Sequence, residues 1–84
     1  MRQIAFTPDA FKEYNDWAES PEIIEKIKIL IRDIDRDAFR GLGKPEPLKG
    51  NWKGYWSRRI NHEHRLIYKI SELQIIIVKC KDHY

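Results

Sequence analysis

The sequence predicts an α+β domain of order β-α-α-β-β-β, an antiparallel sheet covered on one face by two N-terminal helices. Hydrophobic residues recur at helical spacing before residue 40 and at a period of two after residue 54. A Gly- and Pro-rich stretch from Arg40 to Gly54 separates the two patterns. Two hydroxyl-proline steps, Thr7-Pro8 and Ser20-Pro21, mark helix starts, because proline at the first helical position gives up only an N–H that has no partner anyway.

Gln3 to Phe6 forms the opening strand. The first helix follows Thr7, with Phe11, Tyr14, Trp17 and Ala18 on its expected buried face. The second follows Ser20 and carries the stripe Ile23, Ile27, Leu30, Ile31 and Ile34. Tyr55 to Asn61, His64 to Ile70 and Leu73 to Lys81 then read as a three-stranded meander. No repeat, low-complexity segment or second domain interrupts residues 1–84, so one domain is expected.

Register follows from parity. Trp56 and Ile60 share one face of their strand, and Leu66, Tyr68 and Ile70 share one face of the next. If both sets meet the helices, a hairpin centred on His62 places Arg59 directly opposite Arg65, on the face away from the helices. Like charges directly opposed across strands are unfavourable. Removing Arg65 is therefore expected to be neutral or slightly stabilising, unless Glu63 or Asp82 pairs with it.

Composition narrows the function. The chain has 84 residues, 42% of them hydrophobic, enough for one modest core. Its net charge of +3 is uneven: residues 1–39 hold six Lys/Arg against nine Asp/Glu, while residues 40–84 hold ten against four. A basic half suits a surface that meets phosphates, although a solubilising pattern would look the same. Cys80 is the one cysteine, so no internal disulfide can form and a reducing compartment is expected. No apolar run reaches membrane-spanning length and no signal-peptide core is evident; a cytoplasmic location without membrane contact is expected.

Four segments carry chemistry: Lys44-Pro45-Glu46-Pro47-Leu48-Lys49, Ser57-Arg58-Arg59, His64-Arg65 and His83-Tyr84. They supply a carboxylate, an imidazole, a phenol and several cations. RNA can be cut with such groups and no metal: one takes the ribose 2′-OH proton, another protonates the leaving 5′-oxygen, and fixed cations stabilise the phosphorane. Prolines on both sides stiffen Glu46, a candidate base, yet on composition alone the commoner reading is a solvated loop glutamate. An imidazole such as His83 titrates near neutral pH and suits acid or base work, although terminal residues often fray. Trp52 or Tyr55 could stack a base, while Trp56 is expected in the core. Gly41-Leu42-Gly43-Lys44 is not a phosphate-binding loop, since Pro45 stands where that motif needs Ser or Thr. His62 and His64 should point to opposite faces, and no Cys or carboxylate cluster joins them, so neither metal nor cofactor is expected.

Gly43–Lys49, Gly54–Ile60, Glu63–Tyr68 and Cys80–Tyr84 closely resemble, in order and spacing, the motifs of the YoeB/Txe family within the RelE superfamily of type II toxin–antitoxin mRNA interferases. The resemblance covers the whole chain. It implies a RelE-like fold and a ribosome-dependent endoribonuclease that cleaves mRNA in the A site and inhibits translation. It also implies a cognate antitoxin of the YefM/Axe type, with a homodimer compatible. Glu46 would be the general base and His83 the general acid. Arg65, with Arg59 and Lys49, would stabilise the phosphorane, Lys44 would help bind substrate, and Tyr84 would position it. Relatives often carry Arg and then Gly or Tyr where this chain has Lys81-Asp82; the added carboxylate is expected to raise the pKa of His83. Two other classes stay open: a ribosome- or RNA-binding inhibitor that does not cut, and a gyrase inhibitor of the same fold like the ParE toxins.

Overall fold

A computed structural model describes residues 2–82. Strand β1 (Gln3–Phe6) leads into helix α1 (Pro8–Asp16), a short turn, and helix α2 (Pro21–Arg36). The hydroxyl of Thr7 accepts the Ala10 N–H at 3.2 Å and so caps α1. Ser20 starts α2 differently: its side chain makes no cap bond, and its carbonyl accepts the N–H groups of Ile23 and Ile24.

The expected stripe of α2 is correct. Ile27, Leu30, Ile31 and Ile34 are buried against Ile60, Leu66, Tyr68, Ile75 and Ile77 of the sheet. Each full burial contributes about 1.5–3 kcal/mol, which makes α2 the main cover of the core. The face of α1 differs from expectation. Ala10 is its buried residue and Tyr14 and Trp17 are half-buried, but Phe11 and Ala18 are exposed. A short helix at the rim of the core buries a narrower stripe than the full helical period allows.

The sheet has five strands in the order β1-β5-β4-β3-β2, adding β2 (Glu46–Pro47), β3 (Trp56–Arg59), β4 (Arg65–Ile70) and β5 (Gln74–Lys79). All neighbours are antiparallel except β1 and β5, which run parallel. The two-helix crossover makes this possible, because a long connection can return the chain in the same direction. The expected purely antiparallel sheet is thus mixed at one edge.

Arg40–Gly54 is not loop throughout. Glu46 and Pro47 pair with Ser57 and Trp56, and a 3-10 turn follows at Gly50–Trp52. Proline is tolerated here because β2 is an edge strand, which leaves one row of N–H groups unpaired in any case. Gly43 needs its φ of +79°: a Cβ there would press on the Arg59 carbonyl and on Leu30, while its own carbonyl accepts the Arg59 N–H.

One irregularity matters near the chain end. The β4–β5 register shifts between Ile67 and Tyr68, so Val78 is an extra residue. Ile75, Ile77 and Cys80 all belong to the core cluster, which strict alternation could not achieve. The bulge supplies the slip of one.

Candidate active site

Parity decides the fates of two neighbouring arginines. Arg58 faces the helices and is completely buried. It donates to the Asp33 carboxylate, to the Tyr68 hydroxyl, and to the carbonyls of Asp37, Arg40 and Leu42. Tyr68 in turn donates to the Ala38 carbonyl at 2.7 Å. Burial works against the Asp33 charge, but hydrogen bonds from Arg36, the Leu42 amide and Arg58 outweigh it and hold its pKa at about 2. Burial likewise raises the pKa of Tyr68. Arg58 is therefore the anchor of the 37–42 loop, a role the sequence alone did not reveal.

Arg59 faces the other way. It lies directly opposite Arg65, as parity requires. Among the described residues neither guanidinium has a carboxylate within salt-bridge distance. Arg65 is not idle, however. Its Nη1 donates to the carbonyls of Asn61, His62 and His64 at 2.9, 3.3 and 3.2 Å, so it braces the hairpin turn. The expected neutral effect of removing Arg65 must be corrected, since those bonds would be lost too.

The same face extends to Glu46. Its partner Ser57 is two residues from Arg59 on one side of β3, so Glu46 and Arg59 are diagonal neighbours across adjacent strands. Glu46 is exposed on the edge, with Pro47, Leu48 and Lys49 around a groove of about 540 Å³. Lys44 is exposed in a left-handed turn with φ +51°. Trp52 and Tyr55 pack edge-to-face at 5.4 Å, and Lys69 lies over the Tyr55 ring. Trp56 packs at the core margin against Phe39.

On the far side of Arg65, its backbone N–H donates to the Asp82 carbonyl at 3.1 Å. Residues 80–82 thus continue beside β4. The expected roles of His83 and Tyr84, and the effect of Asp82 on His83, lie outside the described residues. Across the sheet the order is then Asp82, Arg65, Arg59, Glu46: cations in the middle, a carboxylate on one flank and the chain end on the other.

The bracket that holds residues 80–82 is built by Glu13, Trp17 and His64, whose contacts with this segment the sequence did not reveal. Glu13 accepts the Cys80 N–H at 2.7 Å, and the Trp17 indole donates to the Cys80 carbonyl at 2.9 Å. His64 Nδ1 accepts the Asp82 N–H at 2.8 Å. His64 shares the parity of Leu66, and that alone marked it as facing the helices. Cys80 itself is inert: burial, with the Glu13 charge nearby, pushes its thiol up to about 12.

Glu63, His64 and Asp82 could in principle meet a cation. Their carboxylates approach opposite ring nitrogens, at 3.8 Å from Nε2 and 3.7 Å from Nδ1, and Nδ1 already accepts a hydrogen bond. An ion on Nδ1 would have to displace that hydrogen bond. His62 is exposed and stands apart from it.

The family profile described as "YoeB-like toxin of bacterial type II toxin-antitoxin system" matches residues 6–84. The chain belongs to this family. It is 51% identical to Toxin YoeB of Streptomyces coelicolor, over 98% of this chain and 99% of that protein. It is 42% identical to Toxin YoeB of Escherichia coli K12, over the same shares of each chain. Among solved structures, a YoeB/ParE toxin from Agrobacterium tumefaciens superposes with a TM-score of 0.92 at 42% identity, covering 98% of this chain and 99% of that one. The toxin of a YoeB–YefM complex from Staphylococcus aureus gives 0.92 at 46% identity, over 100% and 99%. Residues 43–49, 54–60 and 63–68, which carry the family resemblance, are the segments that build the open face.

Proposed function

We propose that this member of the YoeB-like toxins is a ribosome-dependent endoribonuclease that cuts mRNA in the A site and so inhibits translation. The observation that carries the reading is the line formed by Glu46, Arg59 and Arg65 across one sheet face, with the Asp82 backbone held beside Arg65. Glu46 takes the proton from a ribose 2′-OH, which attacks the adjacent phosphorus. Arg65, Arg59 and Lys49 stabilise the charge that develops on the phosphorane, with Lys44 helping to hold the RNA backbone. His83, joined to the anchored Asp82, donates a proton to the departing 5′-oxygen, and Tyr84 positions the substrate. The products are a 2′,3′-cyclic phosphate (or 3′-phosphate) end and a 5′-OH end.

Primer extension on cellular mRNA after induced expression tests this reading. Wild type should give discrete cuts within reading frames, and a 2′-deoxy nucleotide 5′ of the cut should block cleavage. Glu46→Gln and His83→Gln should each lose about 10²–10⁴ in rate. Translation arrest without cuts would favour a blocking protein instead. Wild-type cutting by Glu46→Gln would overturn the assignment of the base.

An uncontrolled toxin of this kind needs a neutralising partner in its own cytoplasm. The S. aureus relative solved with YefM supports an antitoxin of that type here, and another S. aureus structure is of a YoeB dimer. Lys49, Arg59 and Arg65, which have no carboxylate partner among the described residues, suit an acidic antitoxin segment. Low-salt pull-down from the native host should recover a small acidic protein, lost when these three cations are replaced.

A further inference from the structure

We infer that His64 is a positioning residue: by accepting the Asp82 N–H it fixes the Asp82 backbone beside Arg65, one residue before the proposed acid. The inference rests on the cleavage reading above and adds a residue to it.

Asp82 is gripped on both backbone groups by consecutive residues of one strand. Its N–H donates to His64 Nδ1 at 2.8 Å, and its carbonyl accepts the Arg65 N–H at 3.1 Å. Arg65, the central cation, is thus tied through its own backbone to the residue before His83. Asp82 has a φ of +63°, a left-handed conformation that a non-glycine residue adopts at a cost. Such a conformation persists where the surroundings over-determine it, and the two bonds on Asp82 do so.

The histidine is itself held rigidly. Its ring is buried and packs edge-on against Trp17 with centroids 4.7 Å apart. Trp17 also donates to the Cys80 carbonyl, so one indole braces both the acceptor and the segment it accepts from. An Nδ1 that accepts carries no proton, which leaves the ring proton on Nε2. Among the described residues the carboxylate oxygen within reach of Nε2, from Glu63, is 3.8 Å away, too far for a hydrogen bond. Ring packing alone would be served by a leucine or phenylalanine in this position. The acceptor on Nδ1, aimed at an amide one residue before the proposed acid, is what a histidine adds.

Two amide replacements separate the roles. Asn places its carbonyl oxygen near the position of Nδ1, whereas Gln reaches only the position of Nε2. Both are polar and fit the histidine volume, so both variants should fold. In a reconstituted ribosome assay, His64→Gln should lose about 10²-fold in kcat with KM little changed, as expected for a displacement of about 1 Å at the reacting groups. His64→Asn should recover most of that loss. Amide exchange of Asp82 in the isolated protein should be slow in wild type and His64→Asn, and fast in His64→Gln. Equal cleavage by the two variants, or equal protection of Asp82, would overturn the inference. A wild-type protein that does not cut would instead overturn the cleavage reading, and the exchange data would still decide whether His64 holds the segment.

Discussion

Arg58 and Arg59 are adjacent in sequence and lie on opposite faces of the same strand. On the covered face, Arg58 meets a carboxylate, a phenol and three carbonyls, and no part of it reaches water. On the open face, Arg59 meets another arginine. The covered face holds its charge to fix a loop; the open face leaves its charge exposed to a ligand. In a two-sided sheet the composition of a strand thus says less than the phase of its pairing.

The largest effect should come from breaking the covered side. Arg58→Met leaves Asp33 short of a partner and takes a hydrogen bond from each of the Asp37, Arg40 and Leu42 carbonyls, and removing one member of a buried ion pair costs about 3–5 kcal/mol. Arg59→Met should change stability by less than about 1 kcal/mol, as exposed substitutions usually do. Denaturant midpoints measure both. Similar midpoints for the two variants would erase the contrast between the faces.

A smaller effect should appear with pH. Because the folded-state pKa of Asp33 is depressed to about 2, its contribution is fully present above its unfolded value near 3.9 and is lost as pH falls from about 4 towards 2. Urea midpoints of wild type should decline across that window, and Asp33→Asn should flatten the decline while lowering stability at neutral pH. An unchanged slope in Asp33→Asn would mean that other carboxylates govern the acid response.

Periodicity made both helices, the meander and the Arg59–Arg65 register legible before any coordinates, because side-chain parity is a property of the sequence itself. It missed β2, since two residues, one of them a proline, leave no period to detect. The parallel pairing of β1 was hidden for a related reason: strand direction depends on the path of the crossover, not on the strand. For the candidate site, the sequence singled out Glu46, Lys49, Arg59 and Arg65 as candidates. The contacts by which Glu13, Trp17 and His64 clamp residues 80–82 were not legible, because they join side chains to backbone groups far away in sequence. Arg58 was quoted within a basic motif, yet only the fold distinguishes its burial from the exposure of Arg59.

The smallest expected effect is the most discriminating for the open face. Arg59→Ala removes a like-charge pair without disturbing the turn, whereas Arg65→Ala also removes three hydrogen bonds to the hairpin carbonyls. Cross-strand pairs are worth about 0.2–1 kcal/mol, and like charges fall on the unfavourable side. Arg59→Ala should therefore leave the denaturant midpoint unchanged or slightly raised at low salt. Any gain should vanish at high salt, where exposed charges are screened. Arg65→Ala should come out lower than Arg59→Ala at both salts, by the loss of its turn bonds. Cleavage should fall in both variants, so stability and activity move in opposite directions at residue 59. A clear loss of stability in Arg59→Ala at both salts would show that this guanidinium is held by the fold, and the open face would then resemble the covered one.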